Sequence, residues 1–172
     1  MHHNKIIQPW LEVVNVKKPT FFLLLLLLTI MLIISGCNSN ANGNTISNLD
    51  GGITLYKSDS CGCCGLYLNY LKSKSKTDVK VINSPDVNFI KDEYNIPFDL
   101  RSCHTTVVGD YFVEGHIPLE AINKLMEEKP DILGIAMPGM PSGSPGMPGG
   151  KFEDFTIYSV NKDGSQNVFM TL

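Results

Sequence analysis

Apolar residues are distributed along this chain in distinct patterns, and each predicts a different element. From Phe21 to Ile34 the run FFLLLLLLTIMLII carries no charge. At fourteen residues it is shorter than the roughly 20 that a membrane-spanning helix needs. Residues 38–52, NSNANGNTISNLDGG, hold too few apolar positions to bury a core and read as a tether. Regular patterning starts at Ile53. Ile53-Thr54-Leu55-Tyr56 is a short strand of β-formers, with Ser58-Asp59-Ser60 as candidate caps for a helix beyond it. Leu66, Tyr67, Tyr70 and Leu71 recur at helical spacing, and Asp78 to Ile82 predicts a second strand. Ser84-Pro85-Asp86 predicts a helix start with Ser as cap and Pro at the first helical position. Val87, Ile90 and Tyr94 form that helix's stripe, and Asn95 and Pro97 end it. Thr105 to Val113 reads as a hairpin around Gly109-Asp110. Pro118 then opens a helix in which Leu119, Ile122, Leu125 and Met126 share a face, and Pro130 closes it. Residues 137–150, MPGMPSGSPGMPGG, predict an extended, proline-stiffened loop. Last, Phe155 to Val160 and Asn167 to Met170 flank Asn161-Lys162-Asp163-Gly164 as a closing hairpin.

The class is therefore α/β. The order β-α-β-α-β-β-α is that of the thioredoxin fold, here with a Met/Pro/Gly-rich loop and an added C-terminal β-hairpin. Lys17 and Lys18 precede the apolar run, and Ile34-Ser35-Gly36-Cys37 resembles the lipobox of bacterial lipoproteins. That resemblance implies cleavage before Cys37 and lipidation of its thiol; the alternative is an uncleaved anchor helix. Three segments result: residues 1–36 as lipoprotein signal peptide, 37–52 as flexible tether and 53–172 as the folded domain. Either way the domain is exported and held at a bacterial membrane.

Charge narrows the partners. The whole chain carries a formal −3, and losing Lys5, Glu12, Lys17 and Lys18 with the signal makes it more acidic. An acidic domain without a basic stripe excludes nucleic acid as a partner. The membrane, through Cys37, and proteins that donate or accept a metal are the partners that remain.

Cysteine usage changes the picture most. Ser60-Cys61-Gly62-Cys63-Cys64-Gly65 puts three thiols into one strand-to-helix turn, and Cys103-His104 follows forty residues later. A thiol at a helix N-terminus faces unpaired N–H groups and the positive end of the helix dipole, which favour thiolate. Thiolate is the form that binds metal and the form that attacks disulfides. Cys61 and Cys64 make the Cys-x-x-Cys of a thiol oxidoreductase, but Cys63 between them disturbs dithiol exchange, whereas for a metal it adds a ligand. Soft sulfur donors with imidazole select Cu(I), and the candidate ligands are Cys61, Cys63, Cys64, Cys103, His104, Met140 and Met147. Zinc is the less favoured metal, because structural zinc sites usually pair separated knuckles. In a thioredoxin fold the turn before the third strand packs against the redox motif, which would bring Cys103 to the cluster. Cys103 as a buried hydrophobe and His104 as a core histidine are the bland alternatives. His116, in Glu114-Gly115-His116-Ile117-Pro118, reads first as a turn or capping residue.

Four ordered motifs together resemble the DUF411 family: Ser60 to Gly65, Ser102-Cys103-His104-Thr105, Glu114 to Pro118, and Gly139 to Met147. These exported, CopG-like bacterial proteins are thioredoxin-like and associated with copper resistance. The resemblance implies copper bound through the first motif and Cys103. A thiol-disulfide oxidoreductase using Cys61 and Cys64, and a structural zinc or disulfide module, stay open beside it.

Overall fold

The computed structural model describes residues 52–172. The expectations for the signal segment, Cys37 and the tether lie outside them. The described chain is mixed α/β: one seven-stranded sheet and three helices. In chain order the elements are β1 (Ile53–Lys57), α1 (Gly62–Lys74), β2 (Val79–Asn83), α2 (Asn88–Glu93), a 3₁₀ turn (Phe98–Leu100), β3 (His104–Val108), β4 (Tyr111–Glu114), α3 (Leu119–Glu128), β5 (Ile132–Ala136), β6 (Thr156–Asn161) and β7 (Gln166–Thr171). The strands lie in the order β2-β1-β3-β4-β5-β6-β7. β1 runs parallel to β2 and antiparallel to β3, and β4 runs parallel to β5; the remaining neighbours are antiparallel.

Alternation along the strands divides the core between the two faces of the sheet. Val113 and Ile135 belong to a large cluster with Tyr67 and Leu71 of α1 and Leu119, Ile122 and Leu125 of α3. Their neighbours Phe112 and Ala136 point the other way, into a smaller cluster with Ile96 and Leu100. So α1 and α3 cover one face, and the segment after α2 covers the other. Burying one such Leu or Ile stabilises the fold by roughly 1.5–3 kcal/mol.

Several local expectations need correction. Leu66 is not on the buried stripe of α1: it is 55% exposed, and the buried positions are Cys64, Tyr67 and Leu71. No side-chain oxygen caps α1. The hydroxyls of Ser58 and Ser60 bond to each other at 3.0 Å, leaving Cys61 as the N-cap residue. α2 starts at Asn88, later than Ser84-Pro85 suggests, because Ser84 N–H is still bonded to the carbonyl of Lys57. The Asp86 carboxylate accepts the Asn88 N–H instead, at 2.8 Å.

The loop of residues 137–150 is not extended but folded on itself. The Pro141 carbonyl accepts the Ser144 N–H and hydroxyl, and the Ser144 carbonyl accepts the Met147 N–H at 2.8 Å. Gly146, at φ +79°, lies so close to the backbone of Leu66 and Tyr67 that a Cβ would clash with it. β5 is a strand that the sequence pattern does not predict. It joins β4 to the C-terminal hairpin, and its central Gly134 is required because the carbonyl and ring of Phe112 fill the space a Cβ would need. Gly134→Ala should therefore destabilise the domain by roughly 2–3 kcal/mol, seen as a lower urea midpoint at unchanged m-value. An unchanged midpoint would mean that β5 does not pack this closely.

Candidate metal centre

The site grows out of one pair of strand ends. β1 and β3 are neighbours, with Lys57 opposite His104 in the last rung. The chain leaves β1 through a turn closed by the Cys61 N–H on the Ser58 carbonyl, and Cys63 and Cys64 then fall in the first turn of α1. Cys103 immediately precedes β3. Residues forty apart in sequence thus face each other across one end of the sheet. Cys64 is buried, while Cys61, Cys63 and Cys103 are half-buried.

Cys61 and Cys64 form a disulfide, and Cys63 and Cys103 are free thiols among the described residues. The sulfurs are crowded: Cys64 to Cys103 is 3.5 Å, Cys61 to Cys63 3.6 Å and Cys63 to Cys103 3.9 Å. All four lie within 4.8 Å of one another. Cys103 also belongs to a second group, with His104 and His116. Its Sγ is 3.4 Å from His104 Nδ1 and 3.5 Å from His116 Nε2.

His116 is the residue the sequence reading undervalued. Its Nδ1 donates to the Pro145 carbonyl at 2.7 Å. That bond fixes the proton on Nδ1 and leaves the Nε2 lone pair facing Cys103, an arrangement that suits a metal ligand. The hairpin register held the signal. A two-residue turn at Gly109-Asp110 pairs Thr105 with Glu114, which carries His104 and His116 to the same end.

Tyr67 of α1 lies against both imidazoles, its ring centroid 4.6 Å from that of His104 and 5.4 Å from that of His116. Its hydroxyl donates to the Ile117 carbonyl at 3.0 Å, and the Tyr70 hydroxyl accepts the Leu119 N–H. The cysteine helix therefore pins the segment that carries His116. Met147 is half-buried, two residues beyond the bonded Pro145, while Met140 is 38% exposed at φ 50°. Met137 is a core residue.

Burial sets the protonation of these groups. The Cys103 thiol is pushed up to about 11, first by burial and then by the adjacent Cys63. The helix-terminus effect expected for the Cys61–Cys64 turn concerns other thiols, since Cys103 lies just before β3. His104 is lowered to about 3 by burial, then by His116 and Lys91, and burial also lowers His116. Both rings are thus neutral at pH 7, the form that ligates metal. His104 Nε2 is buried with no hydrogen-bond partner among the described residues, a state that costs about 1–3 kcal/mol. The donor set fits a soft cation: two sulfurs sharing one ion at about 2.3 Å each stand roughly 3.7–4.6 Å apart.

Comparison with known proteins agrees with this chemistry. Residues 100–147 match the family model described as a protein of unknown function, DUF411. Two solved structures named copper resistance protein CopG, forms 1 and 2, are 34% and 33% identical, with TM-scores of 0.63 and 0.64. Each alignment covers 70% of this chain, and 95% and 96% of those chains respectively. No curated protein matches the chain.

The buried imidazoles make the fold acid-sensitive. Between pH 6.5 and about 3, the unfolded chain binds a proton on His104 that the folded chain refuses. Stability from this group is complete above about 6.5 and is lost as the pH falls. His116 adds in the same direction, whereas the raised carboxyl of Glu114 opposes it. The denaturant midpoint should fall between pH 7 and pH 5, and His104→Gln should flatten that dependence. A midpoint that holds steady in the unsubstituted chain would contradict a neutral buried His104.

Proposed function

This chain belongs to the DUF411, CopG-like family, and from that premise we propose that it is an extracytoplasmic copper-binding protein contributing to copper resistance. Copper is bound as Cu(I) by Cys61, Cys63, Cys64 and Cys103. The observation that carries this reading is the convergence of four sulfurs within 4.8 Å, with Cys103 shared by a second group containing His104 and His116. Thiolate sulfur selects Cu(I) over harder ions. His116 joins His104 as an imidazole donor, since its free Nε2 already faces Cys103. Met140 and Met147 serve as thioether donors from the loop that Pro145 and Gly146 seat over α1. The domain is thioredoxin-like: the order β2-β1-β3-β4 with α1 following β1 supports that reading. Cys37, lipidated, anchors it to the membrane, where proteins that supply or receive copper meet it.

Residues of the chain prepare this chemistry in definite ways. The Cys61–Cys64 disulfide must be reduced for all four sulfurs to act. Burial keeps the Cys103 thiol protonated, so loading at pH 7 displaces protons. The Pro145 carbonyl holds the His116 tautomer, and the close Cys63 and Cys103 sulfurs repel as thiolates unless a cation lies between them.

A second reading has its own support. The Cys61–Cys64 disulfide, with Cys103 3.5 Å from Cys64, is the arrangement of a thiol-disulfide oxidoreductase.

One pair of variants separates the two. Anaerobically reduced chain loaded with Cu(I) and desalted should keep copper, with proton release recorded by pH-stat. Cys63→Ser should weaken binding beyond the roughly 10- to 100-fold that loss of a supporting contact causes. If instead Cys63→Ser keeps its copper while Cys61→Ser abolishes reduction of insulin disulfides, the dithiol reading prevails.

A further inference from the structure

Behind the thiols lies a wholly buried set of polar side chains for which metal binding itself has no use. Lys91 of α2 and Glu114 at the end of β4 form an ion pair with Nζ and Oε1 2.5 Å apart and side chains 2% and 0% exposed. Lys91 Nζ also donates to Thr105 Oγ1 at 2.9 Å. Glu114 accepts twice more: from the Thr105 hydroxyl at 2.6 Å and from the Ser102 N–H at 2.5 Å. Ser102 and Thr105 are the residues flanking Cys103-His104.

Stability alone is a weak reason for the pair. Desolvating two charges offsets most of their attraction, and apolar replacements of buried ion pairs are often neutral or stabilising. The bonds point to a different role. Both carboxylate oxygens of Glu114 are committed to residues 102–105. Beyond Glu114 the chain continues to Gly115, whose N–H bonds the His104 carbonyl, and then to His116. One side chain thereby connects the Cys103 turn with the strand end that carries His116.

We propose that Glu114, seated by Lys91, is the positioning residue of the thiol site. By receiving the Ser102 N–H and the Thr105 hydroxyl, it fixes the turn at which Cys103 Sγ comes to 3.5 Å from Cys64 and 3.9 Å from Cys63. This rests on the reading above, that the four thiols act together, but its test needs no copper.

In a full chain carrying Cys37→Ser, Cys61→Ser and Cys63→Ser, Cys64 and Cys103 are the remaining thiols. Equilibration with reduced and oxidised glutathione then measures the effective concentration of one at the other. With Lys91→Met and Glu114→Leu added, that concentration should fall about tenfold or more, which is about 30 mV in reduction potential. Lys91→Met with Glu114→Gln keeps an oxygen for the Ser102 N–H and should stay within about twofold of the starting value. Circular dichroism and a denaturant melt on the same samples establish that each is folded. Equal values in all three folded chains, or no Cys64–Cys103 disulfide with the pair intact, would overturn the proposal. Should the Leu variant not fold, Thr105→Val decides: a loss of about threefold is expected from removing one Glu114 contact, and no loss overturns it. Cu(I) competition on the cysteine-replete chain reads the other claim separately, since failure to hold Cu(I) there leaves the positioning result standing.

Discussion

Everything at the site depends on the antiparallel pairing of β1 with β3. That ladder places the exit of β1 beside the entry of β3, with Lys57 opposite His104, so the cysteine turn and Cys103 meet because two strand ends meet. Register matters more than proximity here. A slip of one residue exchanges the faces of His104 and Thr105, which would remove the imidazole from Cys103 and the hydroxyl from Glu114 at one stroke. The sheet is thus both scaffold and alignment device, and α1 and α3 on one face lock the alignment, with Leu55, Leu71 and Leu125 completely buried between them and the sheet.

Around that end of the sheet the fold gathers thiols, two imidazoles, a phenol and an ion pair within a largely buried space. Burial keeps the imidazoles neutral and the Cys103 thiol protonated. The two imidazoles and the Cys103 thiol thereby carry no charge, beside a Lys91–Glu114 pair whose opposite charges face each other. Metal binding and dithiol exchange share this geometry, because each needs a sulfur that can lose its proton close to another sulfur. What separates them is the number of sulfurs: a disulfide uses two, and Cys63 and Cys103 remain beside it.

Much of this was legible in the sequence. Short β-branched runs marked β1 to β4, the Gly109-Asp110 hairpin and the C-terminal hairpin, and the triple cysteine marked the strand-to-helix turn. β5 was hidden because Ile132 to Ala136 is five residues with a glycine at its centre, and only the ring of Phe112 explains that glycine. His116 looked like a turn residue because its partners come from β3 and from the loop at Pro145, neither adjacent to it in sequence. Lys91 sits one position past Ile90, at the margin of the apolar stripe of α2, where a lysine ordinarily reaches solvent; its burial follows from a carboxylate twenty-three residues away. Long-range polar pairs of this kind leave no periodic trace. Met140 and Met147 were legible as residue types, but the loop carrying them folds through turns that its Pro-Gly composition permits without specifying.

Tyr67 has one consequence of a different sort. Its ring lies tilted against His104 and edge-on to His116, so any change of charge or occupancy at either imidazole alters the surroundings of that phenol. The chain's one tryptophan, Trp10, lies outside the described residues, and across residues 52–172 intrinsic emission is therefore that of tyrosine. The site carries its own fluorophore, placed by the fold against both of the rings whose state it would report.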